Sequence, residues 1–395
     1  MTVFASIFSS SGGDNDNEAD PNENNADTID DAGRNSSITF AVPSLSPTSA
    51  PTTSPTMMSK EKIQFEALRS LFQGFRGDVW LQNEHWVDPD TSYCEWYGVS
   101  CNDNGDVSAL RLSYNNLSGS IDSKIGSLTA LEDLNFFGND IAKSIPSEIG
   151  LLTQLTSFDV DKNELTSYIP TTVGMMSSMI EFSACRNSLS GTIPSEFGLN
   201  DPNLEVFVFD NQLTGAIPSE LSNLVSALIP FALCCNRLTG SIPTEFGRLV
   251  NSRSISLSFN SLSGAIPSEL GLLPKTETLD IEYNKISGTI PSELGMPSAA
   301  FVSIDIRHNE LTGTIPSELG RIAPLTLDFS YNSLSGFIPT ELGMLIKLER
   351  LYFEENSFSG SMPTEICQLR SSEGGELVNL QADCNFDCSC CTTCK

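Results

Sequence analysis

One short phrase returns along most of the chain at a nearly constant spacing. It reads NSLSGAIPSELG from Asn260, NKISGTIPSELG from Asn284 and NELTGTIPSELG from Asn309. Aligned on the opening asparagine, eleven copies follow one another at intervals of 23 to 25 residues. These asparagines are Asn115, Asn139, Asn163, Asn187, Asn211, Asn236, Asn260, Asn284, Asn309, Asn332 and Asn356. A chain with a tandem repeat of this length stacks one structural unit on the next, so we expect a solenoid and not a set of separate domains.

Each copy opens with apolar residues in a pattern that predicts a short strand. They stand eight, five and three positions before the asparagine, as Leu348, Leu351 and Phe353 do before Asn356. The last two alternate with other residues, so we expect them to face inward from a strand. Stacked copies would then form a parallel sheet with strands about 4.8 Å apart.

The second half of each copy carries residues that suit a sharp turn. Glycine lies four positions after the asparagine in nine of the eleven copies, the exceptions being Lys143 and Ser167. Proline lies seven positions after it in ten copies, where it would end strand pairing. The asparagine side chain has donors and acceptors for backbone groups of the loop. In IPSELG, the Ser or Thr is expected to cap a short helical turn, with the Glu near its positive end.

The unit LxGxIPxELGxLxxL resembles the plant-type leucine-rich repeat of receptor-like proteins, receptor kinases and polygalacturonase-inhibiting proteins. The resemblance covers residues 107–366. It implies a right-handed α/β solenoid, a horseshoe with a parallel concave β-sheet, eleven repeats of about 24 residues and a cysteine-containing cap at each end. Two copies depart from the pattern, because a residue is missing before Asn211 and Pro324 replaces the first Leu of the Asn332 copy. We expect both departures to disturb the strand register.

Residues 60–106 are expected to form the N-terminal cap. The segment YCEWYGVSC, which ends at Cys101, resembles the C-x-W-x-G-V-x-C cap that precedes plant-type repeats. That resemblance implies a disulfide between Cys94 and Cys101. A short amphipathic helix is predicted near Lys60–Phe72, where it would help to close the open end of the sheet. The tryptophans expected to pack in this cap are Trp80, Trp86 and Trp96.

Residues 367–395 are rich in cysteine and are expected to form the second cap. Their cysteines are Cys367, Cys384, Cys388, Cys390, Cys391 and Cys394, and six cysteines allow fifteen pairings. Two interpretations are open, a disulfide cap and a zinc knot. The tail LVNLQADCNFDCSCCTTC resembles the caps of membrane-anchored leucine-rich-repeat proteins of microalgae, which favours disulfides. Since disulfides belong to an oxidising compartment, we predict an extracellular or cell-surface location.

Residues 1–59 differ in composition from the repeats. DNDNEADPNENNADTIDD is acidic and rich in amides, and PSLSPTSAPTTSPT reads as a Ser/Thr/Pro stalk, so disorder is expected. The first ten residues have no basic start and too short an apolar run for a signal peptide, so we expect an unusual or incomplete N-terminus. No apolar run reaches the length of a membrane span. If the chain is secreted, the predicted N-glycosylation sites are Asn35 and Asn116.

Composition and motifs argue against several classes of function. A formal net charge of −29 argues against a nucleic-acid partner, whose phosphates require Lys and Arg. The two histidines are His85 in the cap and His308 in a repeat, and no nucleophile, phosphate-loop or zinc-protease motif is present. We therefore predict a protein that is not an enzyme, with no catalytic residue, cofactor or metal. The repeat cysteines, Cys185, Cys234 and Cys235, are predicted to be free or buried thiols.

The candidate site lies at positions where the copies differ. Residues one, two and four positions before each asparagine are expected to point out of the concave sheet, because those at minus three and minus five point in. Four successive copies carry a ring at minus one, Phe259, Tyr283, His308 and Tyr331; beside them stand Asp280, Asp305, Asp328, Glu282 and Arg307. Rings beside carboxylates fit a groove for a peptide or a glycan. The alternative is that sheets favour aromatic residues in any case and that the aspartates are repeat drift.

The first functional hypothesis is a non-catalytic extracellular recognition module. It would be a receptor-like protein that binds a peptide, protein or glycan on its concave face and works with a membrane co-receptor. A second hypothesis, implied by the resemblance to polygalacturonase-inhibiting proteins, is a secreted inhibitor of a cell-wall glycosidase. A third is a structural or adhesive cell-wall protein, which the acidic stalk favours.

Overall fold

The computed structural model describes residues 59–229, 231–370, 375–384 and 386–394, the last residue without its side chain. The acidic segment, the stalk and Asn35 lie outside the described residues. Two α-helices stand near the ends of the described chain, α1 at Lys60–Gly74 and α2 at Thr364–Cys367. The first confirms the helix predicted near Lys60–Phe72 and extends it by two residues. None of the described helices is long and apolar enough to cross a bilayer.

The described strands and 3-10 helices alternate along the repeats. The strands are β1 Val99–Cys101, β2 Val107–Arg111, β3 Ser118–Gly119, β4 Asp133–Asn135, β5 Asp140–Lys143, β6 Ser157–Asp159, β7 Glu164–Ser167, β8 Glu181–Ser183, β9 Ser188–Leu189, β10 Glu205–Phe207, β11 Phe231–Ala232, β12 Ser254–Ser256, β13 Ser263–Gly264, β14 Thr278–Asp280, β15 Lys285–Gly288, β16 Ser303–Asp305, β17 Glu310–Gly313, β18 Thr326–Asp328, β19 Ser333–Gly336, β20 Arg350–Tyr352, β21 Ser357–Phe358, β22 Asn379–Ala382 and β23 Thr393–Cys394. The 3-10 helices are Gly77–Val79, Tyr93–Glu95, Ser123–Ser127, Ser147–Leu151, Val173–Met175, Ser195–Leu199, Ser219–Asn223, Thr244–Arg248, Ser268–Leu272, Ser292–Gly295, Ser317–Arg321 and Thr340–Met344.

One sheet of 14 described strands collects a strand from every copy, in the order β1-β2-β4-β6-β8-β10-β11-β12-β14-β16-β18-β20-β22-β23. Neighbouring strands are parallel throughout except β1, which runs antiparallel to β2. The core lies behind this sheet: in one copy, for example, Leu279 and Ile281 are fully buried, as the alternating pattern predicts. The predicted solenoid with a parallel sheet is therefore confirmed.

The repeated asparagine holds neighbouring copies together through its side chain. Asn284 Oδ1 accepts the backbone N–H of Leu262 in the preceding copy at 2.9 Å. Its Nδ2 donates to the carbonyl oxygens of Leu257 (3.0 Å), Ile281 (3.2 Å) and Glu282 (3.0 Å). The other copies from Asn139 onward use the same amide in the same way, as Asn260 and Asn309 show. One side chain thus satisfies several buried backbone groups in each turn, which explains why the residue recurs.

The glycine four positions later serves a backbone need. It adopts a positive φ, as at Gly264 (78°) and Gly288 (80°). The two exceptions adopt the same conformation, with φ of 68° at Lys143 and 72° at Ser167. Because residues with a Cβ rarely adopt it, the turn imposes the conformation and glycine accommodates it at least cost.

The predicted short helical turn is present, but its cap is not the one expected. The segment between the proline and the next strand forms four or five residues of 3-10 helix in most copies. The proline is itself the N-cap residue, as Pro291 is, and the Ser or Thr makes no capping hydrogen bond. Instead, Ser292 Oγ donates to Glu293 Oε2 at 3.3 Å, and the equivalent pairs in other copies do the same. Since proline already fixes an extended φ before the helix, the hydroxyl comes one position too late to cap it.

Two small sheets behind the asparagines were not predicted. One contains β3, β5, β7 and β9, and the other contains β13, β15, β17, β19 and β21. Their members are two to four residues long, in segments such as ISG and LTG. So short a stretch, interrupted by glycine, has no strand signature of its own and pairs only because stacking presents it to its neighbours.

The two irregular copies keep their register, contrary to expectation. Asn211 donates to the carbonyl oxygens of Val208 and Phe209, the same positions used in other copies, so no residue is missing before it. In the copy with Pro324, Leu327 pairs with Ile304 on one side and Leu351 on the other. The hydrogen bonds between neighbouring copies set the register, and the irregular length or sequence affects only the loop before the strand.

Both caps contain disulfides. Cys94 and Cys101 are bonded, with their Cα atoms 5.5 Å apart. Trp80, Trp86 and Trp96 are buried in the same cap and contact one another, with ring centroids 4.9 Å apart for the first pair and 5.2 Å apart for the second. At the other end, the bonded pairs are Cys367–Cys390 and Cys388–Cys391, and Cys384 is disulfide-bonded as well. Sulfurs bonded this way do not form the zinc knot left open by the sequence.

Candidate functional site

The surface of the large sheet that faces away from the core is here called the concave face. In β14, Leu279 enters the core while Thr278 and Asp280 point to this face. The same alternation in β16 and β18 sends Asp305 and Asp328 to the concave face. The face that the sequence predicts for these side chains is therefore the one they occupy.

The four predicted rings form one continuous stack, here called the aromatic column. Ring centroids are 4.4 Å apart from Phe259 to Tyr283, 4.0 Å from Tyr283 to His308 and 4.0 Å from His308 to Tyr331. The planes deviate from parallel by 13°, 15° and 9° respectively. Adjacent rings thus cover each other's faces. At the two ends of the column, the outer faces of Phe259 and Tyr331 are not covered by another ring of the column.

Backbone geometry aligns the rings. All four residues adopt a left-handed conformation, with φ between 48° and 52°. Each is bonded to the next copy in the same way: Phe259 N–H donates to Glu282 O (3.0 Å) and Asn260 N–H donates to Tyr283 O (3.2 Å). Because every copy leaves the strand through this identical turn, residues at minus one project in parallel. The edges remain accessible, with Phe259 41% and Tyr283 39% exposed.

The acidic residues next to the column surround a single arginine. Asp280, Asp305 and Asp328 are register partners on β14, β16 and β18. Arg307 forms an ion pair with Glu282, and it lies 3.4 Å from Asp328 and 3.7 Å from Asp305 (Nη1 to Oδ2 and Nε to Oδ2). One cation therefore serves three carboxylates, and a fourth stands beside them.

These carboxylates are more buried than expected. Glu282 is 8% and Asp328 4% exposed. Burial, followed by repulsion from Asp328 and Glu282, raises the pKa of Asp305 to about 8 against the attraction of Arg307. Burial and repulsion from Asp280 raise the pKa of Glu282 to about 7. The site therefore holds protons at pH values where carboxyl groups are normally ionised.

A second acidic group on the same face was missed by the sequence reading. Burial raises the pKa of Asp161 to about 6, although its Oδ1 accepts hydrogen bonds from Ser183 Oγ (2.7 Å) and Cys185 N–H (2.6 Å). Burial also raises the pKa of Asp159 and Glu181. The sequence does contain a signal for this acidic group, since its residues occupy concave positions of copies three and four. No run of aromatic residues accompanies them there.

An apolar group separates the two acidic groups. Cys185, Phe207 and Ala232 are buried together on the concave face, with Phe209 and Ile229 packed against them. The three repeat cysteines are free thiols, Cys185 and Cys234 buried and Cys235 half-buried. The structure thus brings the ring and acid positions of copies seven to ten together and leaves the cysteines at their border.

The predicted glycosylation residue Asn116 lies on the surface. Its side chain is exposed, and its Nδ2 donates to Val79 O at 3.1 Å. An amide nitrogen has a second hydrogen at which a glycan could be attached, so this contact does not oppose modification. Glycosylation of Asn116 stays a prediction.

Two family models match the chain. The leucine rich repeat N-terminal domain matches residues 64–102. The leucine rich repeat matches residues 275–296, 301–322, 325–345 and 347–369. The first covers the cap that contains the Cys94–Cys101 disulfide, and the second covers the copies that carry most of the aromatic column.

The chain also resembles a receptor-like kinase sequence and several solved receptor structures. A probable inactive leucine-rich repeat receptor-like protein kinase of Arabidopsis thaliana is 42% identical over 55 residues, which are 14% of this chain and 8% of the relative. The Arabidopsis receptor kinase HAESA, solved with the peptide hormone IDA and the co-receptor SERK1, is 26% identical with a TM-score of 0.60. That match covers 82% of this chain and 57% of the HAESA chain.

Two further solved structures share the fold. PEPR1, solved with AtPEP1, is 27% identical with a TM-score of 0.57, over 77% of this chain and 50% of that chain. A plant ice-binding protein is 23% identical with a TM-score of 0.55, over 84% of this chain and 96% of that chain, a likeness of fold alone. The chain therefore spans little of its curated relative and between half and three fifths of the two receptor chains.

Proposed function

Because the chain is a plant-type leucine-rich-repeat protein, we propose that it is a receptor-like recognition module that binds a peptide on its concave face. It would do so outside the cell or at its surface, without catalytic residues or a cofactor of its own. Two of the receptor structures that it resembles hold a peptide, IDA in HAESA and AtPEP1 in PEPR1. By the same likeness, a membrane co-receptor is the partner we propose to act with it.

The observation that carries this proposal is the aromatic column beside the acidic residues around Arg307. Large rings held rigidly by stacking offer contact area with little further loss of entropy on binding. The carboxyl groups around Arg307 keep hydrogen-bond acceptor oxygens whether or not Asp305 and Glu282 hold protons, so the surface suits a ligand with N–H or basic groups. Both features lie on neighbouring copies and face the same side.

The same geometry favours a peptide over a glycan. A sugar ring stacks on the face of an aromatic side chain, yet the inner faces of this column contact one another at 4.0 to 4.4 Å. What the column offers along its length is ring edges, including those of two tyrosines. Edges and carboxylates suit the side chains and N–H groups of an extended peptide that crosses the copies.

Binding titrations of the full chain against a peptide library and an oligosaccharide library test the proposal. We expect peptides to bind, and Tyr283→Ala and Tyr331→Ala to weaken them about 30-fold or more, the usual cost of losing a central aromatic contact. Tyr168→Ala is the matched control, because Tyr168 is an exposed tyrosine outside the column. Peptides that bind equally well to both column variants would contradict the proposal, and inhibition of a pectin hydrolase would favour the glycosidase-inhibitor hypothesis instead.

A further inference from the structure

The aromatic column stops at Phe259, and the position before it has no ring. The residue there is Cys235, and the one before that is Asp210. The backbone links continue unchanged, since Cys235 N–H donates to Ser258 O (2.9 Å) and Asn236 N–H donates to Phe259 O (3.1 Å). A short side chain therefore stands where a fifth ring would lie. The space above Cys235, bounded by the outer face of Phe259, is here called the Cys235 notch.

Within the described residues, no cation lies over the exposed outer face of Phe259. Such contacts are made by Lys162 with Tyr114 (5.6 Å), Arg186 with Phe209 (5.6 Å) and Arg307 with Tyr283 (5.9 Å), measured to the ring centroid. Phe259 stacks on Tyr283 with one face and remains 41% exposed. Three basic side chains of this surface thus lie close to aromatic rings, and the outer face of Phe259 has no such neighbour among the described residues.

The surroundings of the notch are electronegative. The hydrogen bond from Cys234 lowers the pKa of the Cys235 thiol, and the nearby negative charges of Asp210, Asp280 and Glu282 oppose that shift. Arg186 also stands one position before its asparagine, two copies before Cys235, and its guanidinium lies over the ring of Phe209. A cation entering the notch would therefore meet a ring face and the carboxylate of Asp210, whereas Glu282 is already ion-paired with Arg307.

We propose that the Cys235 notch binds the guanidinium group of an arginine side chain, stacked flat on the outer face of Phe259 with its charge towards Asp210. The inference rests on the proposed function, because it names one side chain of the peptide that the concave face would bind. A guanidinium is planar and weakly hydrated, so it lies against a ring more readily than an ammonium group does. A neutral aromatic side chain would fill the same space but would gain nothing from the carboxylates.

Four small probes separate these occupants when each is titrated into the full chain and followed by NMR. N-acetyl-arginine amide is the probe for the proposed group, and N-acetyl-citrulline amide has nearly its shape without its charge. N-acetyl-lysine amide has a positive charge but no planar cationic group, and N-acetyl-tryptophan amide tests whether a neutral aromatic side chain occupies the notch. We expect the arginine probe to bind at least about threefold tighter than each of the others.

Substitutions in the notch locate the binding. Cys235→Phe fills the notch with a ring and should reduce the affinity of the arginine probe at least about tenfold, whereas Cys235→Ser keeps the notch open and should retain it. Phe259→Leu removes the π face and should weaken binding about threefold. Tyr168→Leu, outside the concave face, should change nothing. Melting curves of each variant show whether it is folded.

The outcomes separate this inference from the proposed function. Arginine binding that is unchanged in a folded Cys235→Phe variant, equal affinity for citrulline, a preference for tryptophan, or no arginine binding in the millimolar range would each overturn the notch. A library peptide that loses affinity with Tyr283→Ala but not with Cys235→Phe would leave the proposed function standing and refute the notch alone. A library without any binder to the concave face would count against the proposed function, whatever the arginine probe does.

Discussion

Asp305 lies directly opposite Asp328 in the register of β16 and β18, so two carboxyl groups face each other on neighbouring parallel strands. Like charges in this position repel, and burial strengthens the repulsion. Arg307 lies beside both and offsets part of it. The site is therefore electrostatically costly to the fold, which is common where charges are arranged for binding.

The first prediction is that the protein becomes more stable as the pH falls from about 8 to about 5. The folded-state pKa is about 8 for Asp305, about 7 for Glu282 and about 6 for Asp161, all above the usual values for carboxyl groups. The folded state then binds more protons than the unfolded state over this range, so the free energy of unfolding decreases as the pH rises. Since each titrating group changes the free energy of unfolding by about 1.4 kcal/mol per pH unit, chemical denaturation at several pH values should show a difference of several kcal/mol.

A matched variant isolates the cause. Asp305→Asn removes one of the titrating groups, so it should stabilise the protein at pH 8 and flatten the pH dependence. Glu269→Gln, at a half-buried carboxylate of the IPSELG row away from the sheet, should leave the dependence unchanged. Stability that rises with pH in the natural sequence would contradict the titration scheme.

The second prediction concerns Arg307. Arg307→Gln should destabilise the protein on the order of 1 to 2 kcal/mol at pH 8, because three carboxylates lose the cation next to them. At pH 5 the loss should be smaller, since part of the negative charge is then neutralised by protons. Arg253→Gln is the control, because Arg253 pairs with Glu277 at the surface and should cost little at either pH. Equal losses at the two pH values would show that Arg307 acts mainly through packing.

The sequence predicts the solenoid but only part of the site. Repeat spacing and the alternation around Leu279 were enough to assign the strand, its inward face and the concave position of Asp280. The recurrence of a ring at minus one also predicts that Tyr283 and His308 stack, but the left-handed φ that aligns them is not predicted, because no local signal at these non-glycine residues encodes it. The burial of Glu282 is not predictable from an alternating pattern that places it on the exposed face of the sheet, because it depends on side chains of neighbouring copies such as Arg307.

The third prediction is that the cap disulfide and the tail disulfides form when the chain is expressed through an oxidising compartment. Non-reducing digestion and mass spectrometry should link Cys94 to Cys101, Cys367 to Cys390 and Cys388 to Cys391. Replacing the first pair by serine should cost about 2 kcal/mol, because the bond closes only a short loop. Free thiols at Cys94 and Cys101, or stoichiometric zinc, would refute the assignment of the caps.

The fourth prediction tests the asparagine ladder. Asn284→Asp should destabilise the protein by about 2 to 4 kcal/mol, because a carboxylate cannot donate to the three carbonyl oxygens that Nδ2 now contacts. Asn284→Ala leaves the Leu262 N–H without its acceptor and should cost a similar amount. Lys285→Ala, the exposed next residue, is the control. A loss below about 0.5 kcal/mol in both asparagine variants would mean that water replaces the amide without penalty.

The last prediction separates residues that build the solenoid from residues that bind. Leu279→Ala and Leu327→Ala should each cost about 2 to 5 kcal/mol in the free energy of unfolding, because both side chains are fully buried and leave a cavity. Tyr283→Ala and Tyr331→Ala should cost only about 1 kcal/mol, since they lose stacking at the surface and create no core cavity. Ligand affinity should respond in the opposite order, falling in the tyrosine variants and persisting in any leucine variant that remains folded. Melting curves and peptide titrations on all four proteins give both quantities, and tyrosine variants that unfold as readily as the leucine variants would mean that the column is part of the core.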